Sequence, residues 1–555
     1  MIQEIFPLKA QFSMDECIEI KVLLKKPFQP SSIIKMIIYH QNQILDTQER
    51  AAQEALIFRY QPEHIEGIMQ GYLIEVQLLD DGELLSQAFT ACDRAESWKY
   101  TPRYGFLSDF SEQESNDSQD VHELNKYHLN IIQFYDWAYR HHDFFPPQSS
   151  FKDVMGKESS IDIVKQKIRY LRQYNMKPFA YGAVYGAESE YEYCSDYALY
   201  DSNKQVMKFI DCIYFMDIHK SCGWHQHIIN QYRKAIEFGF QGIHMDQYGF
   251  PKEAYAKSSD GRFILRELKN DFVKLIDDTK EALGDQGVIF NAVNNWPIDA
   301  VANTKQDCVY IEVWPPNETY NDLNNLIANA KRYAPSKQVI LSAYLHPFKD
   351  HENKKECEYT ALLTMATIFS SGGFHLLIGE GNGVLTEAYY PDYYPVNDTF
   401  FLLQLHSYYD FMVAYEELLY DFALVDDTRT YTGGINDEFQ FDGAEFSTVA
   451  QPNKVWTQIK HNKDHKIIHL VNFTDVSNMN WNEPKTSLPR FLQNITVNAL
   501  IVEDVESVSL VSPDFEHGKS QKLDFTYRNR EDGKRAVEFT IPELKIWDMI
   551  YITVA

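Results

Sequence analysis

With 555 residues, the chain is longer than a single hydrophobic core usually organises, so we expect one large domain and two smaller ones. Its net charge of -28 argues against nucleic acids and anionic membranes as partners, because both are bound through clustered Lys and Arg. An ordinary solvated acidic surface also explains this charge. The seven cysteines are scattered without a CxxC or CxxH pair, which predicts reduced thiols rather than a zinc site.

The N-terminal segment lacks the basic region, apolar run and small-residue cleavage site of a signal peptide. No stretch of the sequence approaches the roughly 20 apolar residues that cross a membrane as a helix. The pattern therefore predicts a cytoplasmic protein that does not associate with membranes. A secreted protein whose leader had been trimmed would show the same pattern.

Residues 1–97 contain short runs in which apolar and polar residues alternate, separated by polar turns. Alternation with a period of two residues is typical of strands that bury one face. We therefore predict a small N-terminal β-sandwich of immunoglobulin-like type, without chemistry of its own. The runs that carry this prediction are CIEIKVLLKK, IIKMIIYHQNQIL, ALIFRYQ and GYLIEVQLLDDGELLSQAF.

Between residues 98 and 424 apolar runs alternate with amphipathic helical segments, which predicts βα units and a parallel sheet. Eight such runs fit a closed (β/α)8 TIM barrel, an α/β fold. A doubly wound open sheet is the competing fold, but it would carry a Gly-rich loop after its first strand, and none follows NIIQF. The predicted strands are 129–134, 177–184, 212–217, 242–246, 287–293, 308–313, 338–344 and 373–379.

Residues 425–555 return to short strands and turns. The runs KIIHLVNFT, NITVNALIVED, SVSLVS, KLDFTY and AVEFTI again show the spacing of strands with one buried face. We predict a C-terminal antiparallel β-sandwich.

Two carboxylates interrupt the apolar runs where predicted barrel strands end, at Asp246 in GIHMDQYGF and Glu312 in YIEVWPP. The C-terminal ends of barrel strands form the active-site mouth, so the two side chains should face each other. Cleavage of a glycosidic bond requires such a pair, one to attack and one to protonate the leaving oxygen. An Asp at a strand end is also a common helix cap or turn former, whereas Glu312 lies among apolar residues that would raise its pKa.

Six segments in the same order carry a family resemblance: RYGFLSDF (103–110), IQFYDWAYRHHD (132–143), AYGAVYGA (180–187), GFQGIHMDQYG (239–249), FNAVNNW (290–296) and YIEVWPP (310–316). They resemble glycoside hydrolase family 66, which holds endo-dextranases and cycloisomaltooligosaccharide glucanotransferases. The resemblance covers the whole predicted barrel, and the flanking β domains fit the architecture of the family.

This resemblance implies a retaining, two-step reaction at the α-1,6-glucosidic bonds of dextran or isomaltooligosaccharides. Asp246 corresponds to the nucleophile and would form a covalent glucosyl intermediate. Glu312 corresponds to the general acid/base. Such a reaction implies neither a metal nor another cofactor.

Further polar and aromatic residues near the predicted strand ends are candidates for sugar binding. An Asp after the first predicted strand could hold two hydroxyls of a glucose unit, although FYDWAY also reads as a packing cluster. Glu380 and Asn382 are equally well explained as turn residues. The run RHHD is not expected to bind a metal, because adjacent side chains diverge. The candidates are Tyr135, Asp136, Trp137, Tyr181, Tyr185, His244, Gln247, Asn291, Asn294, Trp314, Glu380 and Asn382.

Four functions remain open at this point. An endo-acting dextranase is favoured over a cyclising transglycosylase, because the cyclising members of the family carry a long carbohydrate-binding module within the barrel and no such insert is seen here. A non-catalytic glucan-binding protein would be favoured by loss of either carboxylate, and both are present. Another linkage preference, such as α-1,4 or α-1,3, depends on the shape of the subsites.

Overall fold

Eight short parallel strands form the centre of the fold in the computed structural model, which describes residues 1–63, 67–258, 260–530 and 532–555. Their residues are mostly buried and apolar, as expected of a parallel sheet covered on both faces. We number them β1 to β8: Tyr104–Leu107, Ile131–Phe134, Lys177–Ala183, Gly242–Asp246, Gly287–Asn291, Cys308–Glu312, Val339–Ser342, and a two-part β8 made of Phe374–His375 and Ile378–Gly379.

The sheet curls until its two ends meet in β8. Each strand from β1 to β7 pairs in parallel with the next along the chain. The first part of β8 pairs with β7, and the second part pairs with β1 through Gly379 opposite Phe106. The central domain is therefore barrel-like, and the carboxyl ends of its strands point to the same side.

A helix follows each of these strands before the next one begins, or before the C-terminal strands in the case of β8. Among the described residues, no helix is long and apolar enough to cross a membrane. The eight helices, α1 to α8, are Gln119–Lys126, Ile161–Gln173, Gly223–Phe238, Leu268–Leu283, Ile298–Val301, Tyr320–Tyr333, Lys354–Ser370 and Thr399–Ala414.

One predicted barrel strand was wrong and another was missed. Within 212–217 the strand Ile213–Phe215 pairs antiparallel with Gly186–Glu188 in the long loop after β3, so it lies outside the barrel. The first barrel strand is instead Tyr104–Leu107, inside the RYGFLSDF segment. A four-residue strand gives no readable periodicity, and an apolar run of similar length in a loop looks the same in the sequence.

Glycines let one large side chain cross the barrel interior. The ring of Phe179, on β3, lies against Gly242 and Gly287, the first residues of β4 and β5. A Cβ atom at these two positions would fall 2.3 and 2.2 Å from the ring. Such a distance is far below van der Waals contact, so both positions require glycine for this packing to exist.

The N-terminal residues form two antiparallel sheets that share a buried core. One sheet contains Ile2–Pro7, Ile18–Leu24 and Ala55–Tyr60; the other contains Gln43–Ala51, Ile33–His40, Met69–Asp80 and Glu83–Ala95. The alternating burial of Ile18–Leu24 confirms the period-two reading of this strand.

The C-terminal residues also form two sheets around a core of their own. The larger sheet includes Val455–His461, His465–Asn472, Trp547–Val554 and Val505–Val511, and its other face packs on the central domain, with Trp547 against Phe411 of α8. The smaller sheet contains Phe439–Asp442, Leu492–Ala499, Arg535–Leu544 and Phe525–Asn529.

A buried arginine connects the N-terminal sheets to the central domain. Arg103, directly before β1, is 2% exposed and makes two hydrogen bonds to the buried carboxylate of Asp93, at 2.8 and 3.1 Å. It also donates to the carbonyls of Ala10 and His128, and lies 3.5 Å from Glu416. Every strong donor of this side chain therefore has a partner, which is the condition under which a buried charge is tolerated.

We predict that Arg103→Met lowers the free energy of unfolding by about 3–5 kcal/mol, because it leaves the buried Asp93 without its counter-charge. Urea unfolding followed by circular dichroism measures this loss. The matched control is Arg59→Met, which removes an exposed pair with Glu19 and should cost less than about 1 kcal/mol. Equal losses in the two variants would show that the network around Arg103 does not join the domains.

Candidate active site

A cleft of about 620 Å³ opens at the carboxyl ends of the parallel strands. Ten of its 24 lining residues are Phe, Tyr or Trp, far above their 14% share of the chain, which suits a ligand with flat apolar faces and polar edges. Eight of the residues predicted from the sequence line it: Tyr135, Asp136, Tyr181, His244, Asp246, Asn291, Glu312 and Trp314.

One amide joins the two carboxylates. The Nδ2 group of Asn291, the last residue of β5, donates to Asp246 Oδ1 at 2.8 Å and to Glu312 Oε2 at 3.0 Å. These two carboxylate oxygens are therefore at most 5.8 Å apart. The neighbouring strands β4, β5 and β6 produce this arrangement: the register of β4 and β5 continues to Asp246 beside Asn291, and Asn291 is opposite Tyr310 on β6. Glu312 lies two residues beyond Tyr310 and therefore on the same face of β6.

Each carboxylate also accepts a hydrogen bond from one phenol. The hydroxyl of Tyr181, on β3, donates to Asp246 Oδ2 at 2.8 Å. The hydroxyl of Tyr344, just past β7, donates to Glu312 Oε1 at 2.6 Å. The four donor contacts fix the planes of both carboxyl groups before a ligand binds.

Burial and mutual repulsion keep a proton on this pair. Burial raises the pKa of Asp246 to about 7, and the charge of Glu312 adds to the rise. Burial also raises the pKa of Glu312, although hydrogen bonds from Tyr344 and Asn291 lower it. Since two adjacent anions in a half-buried site repel each other, we conclude that one carboxyl is protonated and the other ionised near neutral pH.

His244 lies beneath the pair, two residues before Asp246 on β4. Its Nδ1 atom is 3.0 Å from the hydroxyl of Tyr104, and the side chain is 2% exposed. Burial lowers the pKa of His244 to about 3. The imidazole is therefore neutral and does not supply a counter-charge to Asp246.

Six of the predicted residues do not line the cleft. Trp137 is fully buried and packs on Phe144 and Phe240, so FYDWAY is in part the packing cluster considered above. Glu380 accepts hydrogen bonds from Ser108 Oγ and from the amides of Ser108 and Asp109, which joins the end of β8 to the end of β1. The other four are Tyr185, Gln247, Asn294 and Asn382.

Three of these four support the walls of the cleft from behind. Gln247 donates to the carbonyl of Asn291 at 3.0 Å, and the side-chain oxygen of Asn294 accepts from the amide of Trp314 at 2.8 Å. The hydroxyl of Tyr185 bridges the backbone of the loop after β4. Asn382 adopts a left-handed backbone, with φ of 53°, in the turn after β8, as its alternative reading as a turn residue predicts.

Sequence reasoning missed several residues of the cleft. Tyr344 was detectable, because it follows an apolar strand in the same way as Glu312 does. Tyr310 on β6 precedes Glu312 by two residues, and Tyr248 and Phe250 follow Asp246 closely, so their nearness to the two carboxylates could also have marked them. The rest lie in segments distant in sequence, where no local pattern marks them; Tyr390, for example, stacks on Tyr135 with ring centroids 4.2 Å apart. The missed aromatic residues are Phe209, Tyr248, Phe250, Tyr310, Tyr344, Tyr389 and Tyr390.

Asp246→Asn is expected to stabilise the protein at alkaline pH. The folded state raises the pKa of Asp246 from 3.8 to about 7, so it favours the protonated form, and stability is lost as the pH rises through 7. Asn cannot ionise, so burial does not destabilise it in this way. The free energy of unfolding of the variant should exceed that of the wild type by roughly 1–3 kcal/mol at pH 8 and by much less at pH 5.

Thermal unfolding at the two pH values measures this difference. The control is Asp285→Asn, at an exposed position, which should leave the midpoint unchanged at both pH values. A variant at position 246 that is equally or less stable than the wild type at pH 8 would contradict the buried, proton-holding pair.

Named proteins are similar to this chain over most of its length. A cycloisomaltooligosaccharide glucanotransferase of Niallia circulans is 22% identical over 714 positions, covering 99% of this chain and 72% of that one. A dextranase of Streptococcus salivarius is 23% identical over 561 positions, covering 87% of this chain and 67% of that one. The crystal structure of a cycloisomaltooligosaccharide glucanotransferase of Paenibacillus sp., complexed with cycloisomaltoheptaose, has the same fold, with a TM-score of 0.87, 20% identity and 99% coverage of both chains.

The family comparison covers nearly the whole sequence. The model of Glycosyl hydrolase family 66 matches residues 9–551, which include the central domain and most of the N-terminal and C-terminal sheets. The family named from six segments is thereby confirmed: this chain belongs to glycosyl hydrolase family 66.

Proposed function

We propose that the protein is a retaining glycoside hydrolase that cleaves α-1,6-glucosidic bonds of dextran or isomaltooligosaccharides. The observation that carries the proposal is the limit of 5.8 Å between oxygens of Asp246 and Glu312. Retaining glycosidases hold their two carboxyls about 5–5.5 Å apart, whereas inverting enzymes need about 6.5–9.5 Å to admit a water between them. The limit set by the shared amide of Asn291 lies below the inverting range.

Asp246 acts as the nucleophile in the proposed reaction. Its ionised oxygen attacks the anomeric carbon from the face opposite the leaving group, and the bond from this carbon to the glycosidic oxygen breaks. Glu312 transfers its proton to the departing oxygen. The product of this step is a β-linked glucosyl ester of Asp246.

Glu312, now ionised, completes the reaction as a base. It removes a proton from an incoming water, whose oxygen attacks the anomeric carbon and releases Asp246. Two inversions give an α-configured product. The assignment of the two roles rests on the family pattern, in which the strand-four Asp attacks and the strand-six Glu transfers protons.

The linkage and the polymer are supported by the family and by the names of its members. Relatives that match most of this chain are named dextranase and cycloisomaltooligosaccharide glucanotransferase. Dextran and isomaltooligosaccharides are α-1,6-glucans. The aromatic lining of the cleft offers stacking surfaces for successive glucose rings. We propose the same substrate class here.

Hydrolysis is proposed in preference to cyclisation. The match to the Niallia circulans enzyme spans 714 positions, more than the 555 residues of this chain, so that relative contains segments without a counterpart here. The dextranase match spans 561 positions for 87% of this chain, so fewer of its positions lack a counterpart here. These extra segments of the relative agree with the expectation that this chain has no inserted carbohydrate-binding module.

The sheet pairing also supports the finer architecture expected from the sequence. We propose a (β/α)8 TIM barrel over residues 98–424, an immunoglobulin-like sandwich over 1–97 and a C-terminal sandwich over 425–555. Ala95 ends the last N-terminal strand, and Val425–Asp426 pairs with Val455–His461 of the C-terminal sheet. Both boundaries therefore fall next to a change of sheet.

Activity on dextran, isomaltotetraose, amylose and pullulan tests the proposal, with products resolved by chromatography. The wild type should release linear isomaltooligosaccharides from the first two substrates only. Asp246→Ala should be inactive, and Glu312→Ala should lose about 10²- to 10⁴-fold, the usual contribution of a general acid.

Azide distinguishes the two roles. On an aryl α-isomaltoside, whose phenolate departs without a general acid, azide should restore turnover of Glu312→Ala, because it attacks the glucosyl ester of Asp246 without needing a base. Cyclic products would favour the transglycosylase alternative, activity on amylose alone would favour another linkage, and glucan binding without turnover would favour a binding protein. Val502→Ala, at a fully exposed side chain that does not line the cleft, serves as the folding and activity control.

A further inference from the structure

Two consecutive histidines share one buried carboxylate beside the cleft. Glu188 lies on the strand Gly186–Glu188 after β3 and is 3% exposed. It accepts from His141 Nδ1 at 2.6 Å, from His142 Nδ1 at 2.7 Å and from the backbone amide of His141 at 3.0 Å. The two histidines of the RHHD run therefore bind the same carboxylate. Their side chains converge, so the divergence expected from the sequence was wrong.

The two histidines are equally exposed, but only one of them lines the cleft. Both side chains are 12% exposed. His141 lines the cleft together with Asp136, whereas the ring of His142 packs on Tyr191, 5.1 Å between centroids, outside the cleft lining. Glu188 therefore supports one group that a ligand can touch and one that it cannot.

The charge of Glu188 determines which atom of His141 is available. Three donors hold the pKa of Glu188 far below its usual range in spite of burial, which raises it. Burial lowers the pKa of His141, but the charge of Glu188 and the hydrogen bond to it raise it more. With Nδ1–H committed to Glu188, Nε2–H remains as a donor, and it makes no hydrogen bond within the part of the chain that is described.

A complementary acceptor lies in the same wall. Asp136 follows β2 with a left-handed backbone, φ of 44°, and its carboxyl borders the cleft. Burial raises its pKa, while the neighbouring charge of His141 lowers it. One charged donor and one carboxylate side by side match two adjacent hydroxyls of a pyranose, of which one accepts and the other donates.

We propose that Glu188 is a positioning residue: it holds His141 with its Nε2–H toward the cleft, where His141 and Asp136 together grip adjacent hydroxyls of a glucosyl unit. The inference rests on the proposed function, because it assumes a sugar in this cleft. It assigns specificity to a carboxylate that does not touch the ligand. It also gives the RHHD run a role other than metal binding.

The test compares His141→Asn with His142→Asn. An Asn side chain places its amide near the position of Nδ1, so each variant retains a donor to Glu188 and loses only the far side of the ring. His141→Asn should lower kcat/KM on isomaltotetraose about 10- to 100-fold, the effect of a lost charged hydrogen bond. His142→Asn should stay within about threefold of the wild type.

Glu188→Gln tests the positioning role. It should lower kcat/KM as much as His141→Asn does, and the combined variant should be no worse than either alone, because both act through one contact. Unfolding midpoints of all variants exclude a purely structural loss. Equal effects of the two Asn variants, or additive effects of Glu188→Gln and His141→Asn, would overturn the inference.

Binding separates this inference from the proposed function. Calorimetry with isomaltotetraose and the slow variant Glu312→Gln should show binding that weakens about tenfold or more when His141→Asn is added. Absence of both turnover and binding would overturn the proposed function and this inference together. Unchanged binding in the double variant, with an active wild type, would overturn the inference alone.

Discussion

The site depends on keeping two carboxylates within 5.8 Å of each other in a partly buried cleft. Such a pair repels itself and is poorly solvated, so the fold must hold it in place against a tendency to separate or to take up protons. Asn291 does this with one amide that donates to both acids, and Tyr181 and Tyr344 hold the outer oxygens. The same few contacts therefore determine both the distance between the two carboxyl groups and their protonation.

The remaining architecture serves to fix those contacts. Three adjacent parallel strands bring Asp246, Asn291 and Glu312 together at their carboxyl ends, and the pairing of both parts of β8 joins the two ends of the sheet. Glu380 reinforces that joint at the same end of the strands. At the opposite end of β1, the buried side chain of Arg103 links the first strand to the N-terminal sheets.

Most of the barrel strands and both carboxylates could be predicted from the sequence, because short local patterns mark them. Apolar runs predicted seven of the eight barrel strands, and carboxylates that interrupt such runs predicted Asp246 and Glu312, which the structure brings together. Tyr104–Leu107 was missed because four residues show no period, and 212–217 was misplaced because an apolar run does not reveal its pairing partner. Contacts between distant loops, such as Tyr135 on Tyr390 or the two histidines on Glu188, leave no mark in any one segment.

The most direct test of the account is the anomeric configuration of the first product. Proton NMR recorded during hydrolysis of isomaltotetraose, before mutarotation equilibrates the new reducing end, distinguishes the two outcomes. The close pair of carboxylates predicts that the α anomer appears first, through two inversions. Initial release of the β anomer would require a water between the carboxyls and would contradict the role assigned to Asn291, Asp246 and Glu312.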